Sequence, residues 1–468
     1  MAILYRVLEY INYFFIAFVS ISLFIQLIFI ALVWVKKRHF PKAKKLHRFA
    51  IIIPACNEEE VIGTTVERLL TQQSYPREYF DIFVCADNCK DKTAEVARKA
   101  GAYVLERFDD NPEHKRASFP IKYIIDYLLQ NYKDKYDAII KLDADNLVNK
   151  EYIEKMNDCF DTGVEVARSY EASTNLEKNV WTQASGIYYI RDSRIACHVR
   201  EKLHLDQMLS GAGLMVSMKL LDEIGGWDAM GFSDDSEFTC RRLLEKRRLR
   251  FVTDAVVYED QPSSLKDTYN RVSRMAYGIN KNYFKYGPKL FLNFFKTGRI
   301  SNIDILLTMQ FVFISFIAVC WFVPYYIFYI VINALIAFPD FFGIASQEVI
   351  SSMGGSFVPE WITSPYLDLG LNTTVCQQNL ISLCWMILYV VVVFFAIFTF
   401  QSWLAVFLDR KKLNVKVRHL WKGLLMSCMI SLLEAIASCV GVFKKPKWKK
   451  LKRTTSGEIN TDAHVNDK

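Results

Sequence analysis

The chain reads as an α/β domain with a mostly parallel sheet, flanked by transmembrane helices. Three observations predict this. Short apolar strands alternate with amphipathic helices from residue 49 to 285, the pattern of a parallel sheet covered on both faces. Long uncharged runs stand on either side of that stretch, and the basic charge is gathered beside those runs. The chain has 468 residues, is 52% hydrophobic and 14% aromatic, and carries a formal charge of +8. That is too long for one compact domain and apolar for a soluble one. Residues 36–48 (KKRHFPKAKKLHR) and 444–453 (KKPKWKKLKR) hold seven Lys/Arg each and no acid. Without them the balance is 44 basic against 50 acidic residues. The basic character therefore belongs to two juxtamembrane stretches, as at a cytoplasmic face rich in anionic membrane lipid. Basic residues do not stripe a folded face, which argues against nucleic acid as a partner. The eleven cysteines are scattered, without CxxC pairs or a His/Cys cluster of zinc spacing, and read as reduced thiols.

Taken in order, residues 11–35 carry no charge and exceed the roughly 20 residues that span a bilayer. A cleaved signal peptide would have a shorter apolar core and a small-residue cleavage site. The segment 1–48 is therefore read as a retained transmembrane helix followed by its basic, cytoplasmic flank. "FAIIIPACNEE" is a strand ending at Pro54, and "EEVIGTTVERLLTQ" has the apolar spacing of a helix packed on a sheet. "FDIFVCADN" is a second strand stopping at Asp87. "DKTAEVARKAG" is a helix with Asp91 as N-cap and Gly101 at its C-terminal end. "AYVLER" is a third strand, and a helix near 117–131 precedes a fourth strand over 138–143. Parallel sheets bind ligands at the carboxyl ends of their strands. Asn57, Asp87 and Asp143 are thus expected along one edge.

Beyond the soluble stretch 49–285, "YGPKLFLNFFKTGRI" mixes Lys/Arg with Phe and Leu. It reads as an amphipathic helix on the membrane surface, within 286–302. Residues 303–443 form a C-terminal membrane region. It comprises a run at 303–338 broken by Pro324, a polar loop at 339–378, a run at 379–408 and a run at 421–443 centred on Glu434. One crossing per run would put the basic tail 444–468 outside, against the positive-inside rule. Either the number of runs differs, or 421–443 is re-entrant or interfacial; a carboxylate in lipid is expensive, which favours the latter. The sequon at Asn372 fits an external loop, and the tail ends in a polar, disordered stretch.

The chemistry starts at "AIIKLDADNLV", where a strand ends in Asp143 and Asp145. A divalent cation removes the repulsion between two such carboxylates. Mg²⁺ and Mn²⁺ take few protein oxygens and complete their shells with phosphate and water, so the pair suits a metal–diphosphate site. Alone it is also an ordinary polar turn. It is accompanied, in order, by "IIIPACNEE", "ADNCKDKTAEVARKAGA", "HKRASFPIKYII", with Lys115 at a helix start, "LSGAGLMVS" (209–217), "GFSDDSEFTCRRL" (231–243) and "VVYEDQP" (256–262). Trp227 in "GGWD" reads as core rather than a sugar platform, and the Glu259–Asp260 pair has no evident role.

This series resembles the membrane-embedded family 2 glycosyltransferases, the group containing hyaluronan, chitin, cellulose and poly-N-acetylglucosamine synthases, over about 50–280. The resemblance implies a GT-A fold and a nucleotide-sugar donor, a UDP-sugar first of all. It implies that Pro54, Asn57, Glu58 and Asp87 hold the nucleoside, that Asp143 contacts the nucleotide, and that Asp145 binds Mg²⁺ or Mn²⁺. It puts Lys115 against uracil or phosphate. Asp235 matches the Asp of the family's Thr-Glu-Asp-type motif, the general base, although Asp234 or Asp235 would equally serve as an N-cap. Gly211 in "SGAG" offers a backbone that a sugar can approach. Processive members carry Gln-x-x-Arg-Trp and then a Gly. Here "RVSRMAYG" keeps Arg274 and Gly278, with Arg271 for Gln and Met275 for Trp. Arg274 can still pair with phosphate, but the aromatic floor that grips a polymer is gone.

Three functions remain open on the sequence. The leading expectation is an inverting hexosyl- or N-acetylhexosaminyltransferase forming β-linkages at the cytoplasmic membrane face, in polysaccharide synthesis. The alternative is a non-processive transferase to a lipid acceptor, favoured by the altered motif at 271–275. The third, a catalytically silent scaffold, has no need of Asp87, Asp143, Asp145 and Asp235 together.

Overall fold

The computed structural model describes residues 2–34, 39–309, 314, 317–338, 373–413 and 415–446. Residues 35–38, where the first apolar run passes into the basic one, the polar loop through its sequon residue Asn372, and the tail beyond Pro446 lie outside the described residues.

After α1 (Ala2–Leu32) the chain alternates as expected: β1 (Phe49–Ala55), α2 (Ile62–Gln72), β2 (Phe80–Asp87), α3 (Thr93–Lys99), β3 (Tyr103–Arg107), α4 (Ser118–Asn131) and β4 (Ala138–Lys141). These strands are apolar on both faces because both faces are covered. Phe49, Ile51 and Ile53 pack with Ile62, Val66 and Leu69 of α2. Ala50 and Ile52 pack with Ile121, Ile124 and Leu128 of α4 on the other side. The chain continues through β5 (Leu147–Val148), α5 (Tyr152–Phe160), β6 (Val166–Ser173), α6 (Val180–Arg191), a π-helical turn (Asp192–Cys197) and α7 (His198–Lys202). Then come β7 (Leu214–Ser217), α8 (Met218–Glu223), α9 (Asp234–Leu244) and β8 (Leu249–Glu259).

The eight strands form one sheet in the order β3-β2-β1-β4-β7-β6-β8-β5. The first four are parallel. β7 is antiparallel to both β4 and β6, and β5 is antiparallel to β8. The sheet is mixed and mostly parallel, and the carboxyl ends of β1, β2 and β4 line one edge.

Among the described residues, four α-helices follow α10 (Leu265–Thr297): α11 (Ile300–Met309), α12 (Val323–Ala337), α13 (Thr373–Leu408) and α14 (Trp421–Phe443). The expected break at 285/286 falls inside α10, which runs unbroken through Pro288 and stops at Gly298, φ 68°. Its second half is held by packing: Tyr286 and Leu290 are buried with Ile305 and Met309 of α11. Its opposite side remains apolar and exposed at Phe291, Leu292 and Phe295.

The chain divides into two compact units, Met1–Leu27 with Phe313–Phe398, and Ile28–Val312 with Thr399–Lys468. Residues 303–443 thus contribute to both units. In the first unit, Asn12 Nδ2 donates to Tyr326 Oη at 3.5 Å and Asn379 Nδ2 to Asn333 Oδ1 at 3.0 Å. In the second, α14 seats on α6 and α10. Glycines permit it: a Cβ on Gly423 would stand 2.3 Å from Gln183 Cβ, and one on Gly441 would stand 3.4 Å from Tyr277 Cα. Among the described residues, Thr374–Leu408 and Val417–Phe443 are long and apolar enough to cross a membrane by length and composition.

Candidate active site

The segment after β1 is tied to the loop after β2. Asn57 takes a left-handed backbone, φ 56°. Its Oδ1 accepts from Lys90 N at 2.7 Å, and Glu58 N donates to Thr93 Oγ1 at 2.8 Å. Pro54 lies one residue inside β1, which ends at Ala55. Asp91 does cap α3, though from one residue further out: its Oδ1 accepts from Thr93 N at 3.1 Å. Asp87 ends β2 and is buried against Arg107 at the end of β3. Burial raises the Asp87 carboxyl above its ordinary value, and the Arg107 guanidinium opposes the rise. Arg107 is a partner that "AYVLER" did not single out.

Lys115 is corrected in place. The helix starts at Ser118, and Lys115 instead closes a 3₁₀ turn and is exposed. Its neighbour Arg116 turns inward, 4.4 Å above the Phe232 ring in the "GFSDDSE" loop. The steric bias of the pre-proline residue does not stop α4, because Pro120 falls in its first turn, where a missing N–H costs nothing.

β4 stops at Lys141 rather than 143 because the acid pair forms its own turn. Asp143 N donates to Asn146 Oδ1 at 2.8 Å, and Asn146 N donates to the Asp143 carbonyl at 3.0 Å. Thr65 of α2 fixes the turn by donating to the Ala144 carbonyl at 2.8 Å. Asp143 is about a third exposed, with 35% of its side chain open, whereas Asp145 is buried. These are hard oxygen donors, the type that Mg²⁺ and Mn²⁺ prefer. Among the described residues, three or more His, Cys, Asp or Glu side chains do not converge into a metal cage. The donor set therefore fits a cation that draws its other ligands from diphosphate and water.

Lys141 binds the site together. Its buried ammonium stands 3.5 Å from Asp143 Oδ1 and donates to the Gly211 carbonyl. Burial alone would lower its pKa, but Asp143, Asp234 and Asp235 around it hold it above the ordinary value. A Cβ on Gly211 would lie 3.3 Å from Lys141 Nζ and 3.9 Å from Asp235 Oδ2. The SGAG loop, the end of β4 and the start of α9 therefore meet at one point.

Asp235 lies in the first turn of α9, and the N-cap position is Ser233. Asp235 Oδ1 accepts from Ser233 Oγ and from Ser236 N, both at 2.7 Å, while Oδ2 is the oxygen toward Gly211. One oxygen is anchored and the other faces the site, as a general base requires. Asp234 is pushed up to about 7, first by burial of its carboxyl and then by Asp235, with Lys141 opposing. Deeper still, Arg168 on β6 donates to Glu171 Oε1 at 3.1 Å. Burial lifts Glu171 to about 7 despite Arg168, and its carboxyl also bonds Ser210 at the start of the SGAG loop.

α10 closes the site from one side. A Cβ on Gly278 would meet Ser233 Cβ at 2.5 Å and Ser233 N at 2.6 Å, so this helix packs directly on the loop before Asp235. Arg271 pairs with both oxygens of Glu259, at 2.8 and 2.7 Å, which gives the unassigned acid pair of "YEDQP" a partner. Asp260 accepts from Thr174 Oγ1 at 3.2 Å. Arg274 lies on the same helix between Arg271 and Gly278. Trp227 is core, stacked on Phe238 at 4.5 Å.

Fold and site define a glycosyltransferase domain of the GT-A type. Residues 47–278 match the family model described as Glycosyltransferase like family 2, and that segment is a family 2 glycosyltransferase domain. The chain is 25% identical over 276 residues to the probable glycosyltransferase YdaM of Bacillus subtilis, covering 54% of this chain and 61% of that protein. It is 25% identical over 288 residues to a β-monoglucosyldiacylglycerol synthase of Trichormus variabilis, covering 60% of this chain and 59% of that protein. The matches thus span about three fifths of these relatives' lengths. Among solved structures, the mannosyltransferase PcManGT of Pyrobaculum calidifontis in complex with GDP-Man and Mn²⁺ aligns with a TM-score of 0.46 at 15% identity, over 67% of this chain and 87% of that one.

Proposed function

We infer that the chain transfers a single sugar from a nucleotide-sugar donor to a hydroxyl of a membrane lipid, with inversion, at the cytoplasmic face. The observation that carries the chemistry is the meeting of Asp143, Lys141, Gly211 and Asp235 Oδ2 at the carboxyl edge of the sheet. In the reaction the acceptor oxygen attacks the anomeric carbon and its proton passes to Asp235. The bond from that carbon to the diphosphate oxygen breaks, and the nucleoside diphosphate leaves with the bonding electrons. Attack from the face opposite the leaving group gives a β-linkage from an α-linked donor. Lys141 steadies the SGAG backbone against the sugar, and Arg274 is the side chain assigned to the leaving phosphates. Pro54, Asn57, Glu58 and Asp87 are assigned to the nucleoside. Asp145, with Asp143 beside it, would hold Mg²⁺ or Mn²⁺, which when bound offsets charge on the diphosphate.

Two observations favour a lipid acceptor over a growing polymer. Relatives from three cyanobacterial sources carry the name β-monoglucosyldiacylglycerol synthase. The position where processive enzymes keep an aromatic floor is Met275. The polymer reading retains one point in its favour, the succession of apolar helices α12, α13 and α14, since a polymer needs a way out.

The test is nucleoside-diphosphate release by the detergent-purified chain, from a panel of UDP- and GDP-sugars with Mg²⁺ or Mn²⁺, with and without diacylglycerol. Release with one sugar, stimulated by the lipid and lost on chelation, together with a lipid carrying one sugar, supports the reading. A ladder of products longer than one sugar would replace it with the polymer reading. Folded protein that releases nothing from any donor would sink both.

A further inference from the structure

The two sides of α10 do different things. One side holds the loop that carries Asp235. A Cβ on Gly278 would touch Ser233. One turn on, Asn282 Nδ2 donates to the Ser233 carbonyl at 3.0 Å and to Ser236 Oγ at 2.6 Å. After a further turn, Tyr286 Oη donates to Glu237 Oε1 at 2.8 Å, while Glu237 Oε2 accepts from Gly231 N at 2.8 Å. The helix thus grips residues 231–237 from 278 to 286, and any shift of α10 is passed to that loop.

The other side faces outward. Phe284, Phe291, Leu292 and Phe295 are between 48% and 69% exposed. Lys281, Lys289 and Lys296 are exposed as well. At about 3.6 residues per turn, Phe284, Phe291 and Phe295 fall in one row. Lys281, Lys285, Lys289 and Lys296 fall in the row beside it. From Thr268 to Thr297 the helix holds no acid, and of the four lysines Lys285 is engaged by Glu237, at 2.9 Å. Rings beside an acid-free row of lysines suit a helix lying in a membrane interface. The rings enter the acyl boundary, and the long lysine stems bring their ammonium groups to anionic phosphates. α14 supports a bilayer over an acidic protein as the cover. It meets α10 where this surface begins, with Asn280 Nδ2 donating to the Ser438 carbonyl at 2.8 Å. It stays on its neighbours from Gly423, seated on Gln183, to Glu434, which accepts from Tyr188 Oη at 3.1 Å. Yet it leaves its own apolar row exposed at Leu425, Leu432, Ile436 and Val440.

We propose that the outer face of α10 is a docking surface for anionic lipid headgroups, and that lipid held there steadies the 231–237 loop and so sets the rate of transfer. Lys281, Lys289 and Lys296 bond the phosphates while the phenylalanine rings enter the acyl boundary. The control of rate rests on the transferase reading above; the docking surface does not.

The experiment reconstitutes the full chain, with diacylglycerol present, in vesicles of phosphatidylcholine alone or with about one third phosphatidylglycerol. Benzoylphenylalanine in place of Phe291 reports by photocrosslinking what lies on the helix, and the same residue in place of Tyr123, which is exposed on α4, is the control. Position 291 is expected to capture phosphatidylglycerol at about three times its mole share, and position 123 to capture none. Combining Lys281→Gln, Lys289→Gln and Lys296→Gln is expected to return the capture at 291 to the mole share. Nucleoside-diphosphate release by the wild type is expected to rise about fivefold with phosphatidylglycerol, and that of the triple variant by less than about 1.5-fold, from equal rates in phosphatidylcholine alone. Capture in proportion to composition, or capture of a protein chain in place of lipid, overturns the docking surface. Equal stimulation of wild type and variant overturns its control of the rate. Enriched lipid capture by a chain that releases no nucleoside diphosphate in any vesicle upholds the surface and sinks the transferase reading instead.

Discussion

Lys141 is the residue on which the charge of the site turns. Three carboxylates, Asp143, Asp234 and Asp235, surround one buried ammonium that also holds the Gly211 carbonyl. Removing one partner from a buried ionic group leaves the others uncompensated, at a cost of about 3–5 kcal/mol. Lys141→Met is therefore expected to lower the melting temperature by several degrees and kcat/KM by about 10²-fold or more; activity within about threefold of wild type would refute its role. Asp235→Asn is expected to cut kcat by roughly 10²–10⁴-fold with little change in donor KM, because the fold keeps both hydrogen bonds to Oδ1 while the proton acceptor is lost. Asp234→Asn should cost far less. Glu171 gives a pH prediction. Burial raises it to about 7, so the folded chain keeps a proton that the unfolded chain has released. Its contribution to stability is whole below the ordinary carboxylate range and is lost as pH rises through about 7. Between about pH 5 and about pH 7 the melting temperature of the wild type should fall more steeply with rising pH than that of Glu171→Gln; parallel curves would refute it.

At the scale of elements, Gly278 sets how closely α10 approaches the Ser233–Asp235 loop. A methyl group there would meet the Ser233 backbone nitrogen at 2.6 Å, and a backbone cannot swing aside as a side chain can. Gly278→Val is expected to destabilise by about 1–3 kcal/mol and to displace the Ser233–Asp235 loop, lowering kcat as well as thermal stability. The same packing explains what could and could not be read beforehand. β1, β2 and β4 were legible because strands buried on both faces are continuous apolar runs, and their polar ends mark the edge. β5 and β7 have two and four residues, too few for a period, and their antiparallel pairing turns a parallel expectation into a mixed sheet. α10 looked like two elements because composition changes near 286 and Pro288 resembles a breaker, yet its buried face continues across both. In the site, Asp143, Gly211 and Asp235 meet around Lys141. Lys141 was visible only as a lone charge in an apolar strand; its value lies in contacts with segments 70 and 94 residues away, which no local pattern encodes. The seat of α14 is likewise tertiary, since it depends on Gly423 and Gly441 meeting Gln183 and Tyr277.

At the scale of the whole molecule, the apolar surface has to be covered by something. α13 has 36 residues, about 54 Å at 1.5 Å per residue, against a hydrocarbon core of about 30 Å. Ile381, Trp385, Tyr389, Val392 and Phe400 are all more than two fifths exposed along it. Phe14 and Phe24 of α1 are exposed in the same way. Water would contact far more contiguous apolar area than the few hundred Å² that soluble proteins tolerate. The expected outcome is that the chain pellets with membranes, resists alkaline carbonate and is released by detergent. Orientation follows from charge: the basic residues at 42–48 adjoin β1, and Lys445 reaches Glu113 of the same unit at 3.2 Å, so both basic flanks belong beside the transferase domain. On the proposed function these positive flanks would face the cytoplasm, the side on which such flanks are retained. Trypsin applied to sealed cells should therefore leave the 47–278 domain intact and cut it only after permeabilisation. Cleavage in sealed cells would place the domain outside and overturn the cytoplasmic assignment. Release by carbonate alone would mean that another surface of protein, and not lipid, covers α13.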